Sequence, residues 1–144
     1  MPLSIFLVAL PVTGCGGVDG PTKEQYLSGL NAMCEDFRQR EKAIGEPKNI
    51  ADLVTKGPLV LDAFEQAIAD KVGTLKAPDA LADQAQRLVD LAEEQREVLA
   101  GLVVAARNGN VAKVQALASK NATINGESSA ITHDLGADAC ATGE

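Results

Sequence analysis

Between Thr22 and Leu135 apolar side chains return every three or four residues in four successive stretches, each closed by glycine, proline or asparagine. That period matches the turn of an α-helix and not the two-residue alternation of a strand. Thr22-Lys23-Glu24-Gln25 has the form of a capping box, so the first helix starts there. Leu27, Leu30, Cys34, Phe37 and Ile44 fall on one face of it, and Gly45 and Pro47 end it. Asn49 to Thr55 reads as a short helical lead-in, which Gly57-Pro58 interrupts before a main helix carrying Leu61, Phe64, Ile68, Val72 and Leu75. A third helix begins at Pro78 and should be the longest, with a continuous stripe of Leu81, Ala85, Leu88, Leu91, Gln95, Val98, Leu102 and Ala105. Asn108-Gly109-Asn110 is a tight turn, and Asn110 is placed to cap a fourth helix. Val111, Val114, Leu117, Asn121, Ile124, Ser128, Ile131 and Leu135 line that helix, whose middle Gly126 is expected to loosen. Short connections favour antiparallel neighbours, so the expected architecture is all-α: an up-down-up-down four-helix bundle over residues 22–144.

Size and charge narrow the possibilities further. A chain of 144 residues is long enough for one domain with a genuine core and short for two. It is 46% hydrophobic with 3% aromatic residues and no Trp, which spreads apolar surface over small and aliphatic side chains suited to close helix packing. A formal net charge of −7 argues against nucleic acid, whose phosphates call for clustered Lys and Arg. The same acidity argues against attachment to a membrane surface through a basic amphipathic helix.

The amino-terminal residues suggest another means of attachment. Leu3 to Leu10 form an uncharged apolar run, shorter than the ~20 residues a membrane-spanning helix needs, and suited to the core of a signal peptide. Pro11-Val12-Thr13-Gly14-Cys15 follows, then the glycine-rich stretch Gly16 to Gly20, expected to have little fixed structure. This arrangement resembles the lipobox of bacterial lipoproteins, an aliphatic residue and two small ones before a cysteine, which Val12, Thr13, Gly14 and Cys15 match position by position. The resemblance implies that residues 1–14 are removed, that Cys15 receives a diacylglycerol thioether with possible further acylation, such as palmitate, at its amino group, and that residues 15–21 tether the domain. A thiolate is nucleophilic enough to be alkylated there. Two chains at roughly 0.8 kcal/mol per buried methylene anchor stably where one does not.

Two cysteines remain. Cys34 lies on the core face of the first helix and Cys140 lies just past the fourth, and an up-down bundle brings those two regions to the same end. An exported chain with one lipidated cysteine is expected to pair the other two. The reach is short: Cys34 lies about 18 Å along its helix from Thr22, while four extended residues after Gly136 span about 13 Å. The tail must therefore fold back, or the fourth helix must end higher. The alternative is a buried, reduced Cys34 beside a loose Cys140.

Little else points to chemistry. His133 is the single histidine, and the Glu-x-x-His pattern of di-iron bundles fails because position 130 is Ala. Neither a metal site nor a cofactor is expected, and a haem-attachment Cys-x-x-Cys-His is absent from the sequence. Glu93, Glu94 and Glu97 lie off the apolar stripe and are interleaved with Arg87 and Arg96, as on a solvated face. Gln95, Asn121 and Ser128 differ, because they interrupt apolar stripes where polar groups must find partners or water. They either line a small internal pocket or bond one another and fix helix register.

The layout as a whole resembles the small cell-envelope lipoproteins of high-GC bacteria, and the resemblance implies location and fold without a mechanism. The expected role is that of a non-enzymatic binding or interaction module on the extracytoplasmic face of the cell membrane. Its expected partners are the bilayer, through Cys15, and an envelope protein or component. The alternative is a small-ligand carrier with its pocket at Gln95, Asn121 and Ser128.

Overall fold

The computed structural model of the chain describes residues 20–141. The expected signal peptide, Cys15 and most of the tether lie outside the described residues. Four helices pack together: α1 (Lys23–Ile44), α2 (Ile50–Phe64), α3 (Ala82–Arg107) and α4 (Val111–Leu135). α2 runs on through a π-helical turn (Glu65–Ala69) and a closing helical turn (Asp70–Val72). Short 3₁₀ turns precede α3 (Asp79–Leu81) and end the described chain (Asp138–Cys140). Among the described residues there is no strand.

Side-chain caps set where three of these helices start. The Thr22 hydroxyl accepts from the Gln25 amide at 3.2 Å and the Gln25 side chain accepts from the Thr22 amide at 3.0 Å, closing the capping box. Asn49 Oδ1 accepts from the Asp52 amide at 2.8 Å, and Asn110 Oδ1 from the Lys113 amide at 3.0 Å. Each satisfies an amide that the helix leaves without an internal partner. At the other end of α4, Gly136 takes a left-handed φ of 87°, which reverses the chain without a Cβ penalty.

Gly57-Pro58 does not break the second helix. The Asn49 cap starts α2 well upstream, so Pro58 sits inside it and forfeits one backbone bond without ending it. Gly57 serves contact instead: a Cβ there would lie 3.1 Å from Val103 Cγ2, so its absence lets α2 press against α3. Gly126 likewise leaves α4 continuous.

Cross-helix pairs show the antiparallel order directly. Lys71 reaches Asp36 at 3.4 Å, and Arg40 reaches Gln66 at 2.9 Å, between α1 and the second helix. Arg87 meets Glu127 at 2.7 Å and Lys120 meets Glu94 at 2.9 Å, between α3 and α4. Bonding to Arg40 holds the Asp36 carboxyl below its usual range, and bonding to Arg87 does the same for Glu127. Both ties are present at neutral pH and are lost as pH falls through those lowered values.

The core has two parts. One gathers Tyr26, Leu30 and Met33 with Phe64, Val72, Leu88, Ala92 and Leu135, and the other gathers Leu91, Val98, Leu102 and Ile124. Tyr26 and Met33 therefore centre the inner face of α1, with Leu27 and Phe37 at its flank. Val111, read from sequence as part of the α4 stripe, is 50% exposed. The Tyr26 hydroxyl is buried with no hydrogen-bond partner among the described residues, and burial pushes its pKa up. Tyr26→Phe is expected to raise the unfolding free energy by about 1 kcal/mol, because it removes an unsatisfied donor and keeps the ring. Urea unfolding checks this, and a loss of similar size would show that the hydroxyl is bonded.

The chain past α4 answers the question of reach. After Gly136 it folds back along α1: Ala137 is fully buried, and the Ala139 amide donates to Asn31 Oδ1 at 2.9 Å. The Arg38 guanidinium donates to the Ala139 carbonyl. Cys34 and Cys140 are joined in a disulfide, with Cα atoms 5.1 Å apart across 106 residues of sequence.

Candidate functional site

A cavity of about 130 Å³ lies where the four helices and the disulfide converge. From α1 come Leu30, Met33, Cys34 and Phe37; from the second helix Phe64, Ile68 and Val72; from α3 Leu88, Ala92 and Gln95. α4 contributes Asn125, Ser128, Ser129 and Thr132, and Cys140 completes the wall. The helical period explains the division, since residues three or four apart share a face. Phe37 and Phe64 meet edge to face, with centroids 5.6 Å apart, and fix one side. Ile68 belongs to the π-helical turn, so the widened stretch of the second helix borders this space.

Polar groups occupy one wall only. Gln95 Nε2 donates to Asn125 Oδ1 at 2.6 Å, joining α3 to α4 beside the apolar space. Thr132 is buried, and its hydroxyl donates to the carbonyls of Ser128 and Ser129 at 2.9 and 3.1 Å, so it is satisfied within its own helix. Gln95, Asn125 and Ser128 are half-buried, whereas Phe64, Leu88 and Ala92 are buried. Cys34, Phe37, Ile68 and Cys140 on the remaining walls are half-buried as well, and Thr132 on the polar wall is buried.

Of the three residues read from sequence as a polar pocket, Gln95 and Ser128 line this cavity and Asn121 does not. Asn121 lies one helical turn before Asn125, and its Oδ1 is buried without a partner among the described residues. Asn125, which bonds Gln95, follows Ile124 and so falls beside the narrow apolar stripe rather than on it. A polar residue one turn from Asn121 and three before Ser128 was the available signal.

A second hollow of about 160 Å³ lies toward the other end, among Leu53, Gly57, Val60, Leu99, Leu102 and Val103, with Glu41 beside it. Burial, with Glu46 nearby, raises the Glu41 carboxyl above its usual range. His133 is exposed, with Nδ1 3.8 Å from Asp134 Oδ1. Glu93 pairs with Arg96 and Glu94 with Lys120, as a solvated face requires. Among the described residues no group of three His, Cys, Asp or Glu side chains is placed to hold a metal, and no helix is long and apolar enough to cross a membrane.

Comparison of the chain with protein-family models, curated proteins and solved structures finds no match. Function therefore rests on the residues themselves.

Proposed function

We propose that this chain is a lipoprotein anchored through Cys15 to the extracytoplasmic face of the cell membrane, where its helical bundle acts as a binding module. The division of the cysteines carries this reading. Cys34 and Cys140 are joined across the bundle, as suits an oxidising compartment, and Cys15 stands apart in a lipobox-like sequence. The bundle then supplies a stable body on a short tether, held at the membrane by lipid.

Within that reading the cavity favours a small-ligand carrier over a module that engages a protein through its outer helix faces. An apolar space bounded by all four helices, with a few convergent polar groups on one wall, is the usual form of a small-molecule site. The test is native extraction. The chain released gently from membranes is expected to carry a non-covalent low-mass companion that leaves on unfolding, and Ala92→Leu, which fills the space, is expected to lose it. An extract whose parent and filled variant have the same composition counts against the carrier.

A further inference from the structure

The cavity contains enough chemistry to define what it takes. Resting on the carrier reading above, we propose that it binds one uncharged amphiphile: an apolar body of about six non-hydrogen atoms, with an alcohol or carboxamide head seated on Gln95 and Asn125. Size bounds the body: a 150 Å³ apolar cavity accommodates a benzene ring, and this one, at about 130 Å³, takes an apolar body no larger than that ring. Chemistry sets the direction: buried, apolar Phe64, Leu88 and Ala92 receive the apolar end, and the wall that carries Gln95 and Asn125 receives the head.

The amide pair sets the head. The bond from Gln95 Nε2 to Asn125 Oδ1 engages one donor and one acceptor of the pair, and the Gln95 carbonyl and the Asn125 amino group lie outside that bond. Reversing both amides leaves the same two functions, one acceptor and one donor. A hydroxyl or carboxamide can answer both at once. Among the described residues no Lys, Arg, His, Asp or Glu lines the cavity, so a carboxylate or ammonium head would lose its hydration without gaining a counter-charge. The π-helical turn at Glu65–Ala69 adds an independent pointer, because such turns recur at functional sites and Ile68 within this one lines the space.

The methionines provide a direct readout. The chain has two, and Met33 lines the cavity, so methyl-labelled methionine reports on it through one resonance. The full chain in lipid nanodiscs is titrated with benzyl alcohol, toluene and benzoate, with free concentrations corrected by empty discs. The Met33 methyl is expected to shift with benzyl alcohol, to bind toluene about tenfold more weakly for want of a hydrogen-bonding head, and to ignore benzoate. Gln95→Leu should erase the preference for benzyl alcohol over toluene. Ala92→Leu and Ile68→Phe should each abolish the shift, and either suffices if the other fails to fold. Toluene or benzoate binding as tightly as benzyl alcohol, or a preference unchanged by Gln95→Leu, would overturn the assigned ligand class and leave a carrier standing. A Met33 resonance unmoved by every probe would overturn the carrier as well.

Discussion

Replacing Cys34 and Cys140 together by serine is expected to lower the unfolding free energy by about 3 to 5 kcal/mol, the largest stability change for any pair in the molecule. The pair spans 106 residues of sequence, and cross-linking a loop of that length removes much of the freedom of the unfolded chain. A native-state loss adds to it. Ala139 bonds Asn31 and Arg38 only while the last turn stays folded against α1, and Ala137 is buried there. For a domain of this size the loss corresponds to a drop on the order of 15 °C in Tm. Thermal unfolding of the double variant against the oxidised parent measures it. A drop under about 3 °C would show that packing alone holds the tail.

The second large effect is one of place. Cys15→Ala is expected to release the chain from membranes washed at high salt and high pH, while the parent stays bound. Without the thioether lipid the remaining apolar run is Leu3 to Leu10, about 12 Å as a helix against a hydrocarbon core of about 30 Å. The net charge of −7 offers no electrostatic hold on an anionic surface. Two acyl chains, by contrast, bury enough methylenes for stable anchoring. Equal retention of variant and parent would mean that something other than Cys15 fastens the chain.

How far the sequence disclosed this molecule differs from element to element. The starts of α1 and α4 were legible because Thr22 with Gln25, and Asn110 before Val111, are local devices whose hydrogen bonds need only neighbouring residues. The α3 stripe was legible because a long helix covered on one side repeats its period many times. The second helix was misread at Gly57-Pro58, where two residues that usually break helices are retained because the first lets Val103 approach. Such a contact lies between residues 46 positions apart, and no local pattern encodes it. The inner face of α1 shifted for a similar reason: Tyr26 and Met33 became central only once the second helix and the returning tail took their places.

The cavity was half legible. Gln95 and Ser128 stood out as polar residues within apolar stripes, yet their common site also needed Asn125, whose role comes from its bond to Gln95 on the neighbouring helix. Asn121 gave the same sequence signal but lies one helical turn before Asn125, outside the cavity lining. The disulfide was anticipated from cysteine arithmetic, while its reach depended on Gly136 turning the tail back toward α1.

The most direct test of the account is the intact mass of the chain extracted from membranes without reductant. The expected species begins at Cys15, carries a diacylglycerol thioether there, and is two hydrogens lighter than its reduced form because Cys34 and Cys140 are joined. A species that retains Met1 to Gly14 and offers Cys15 as a free, alkylatable thiol would contradict it.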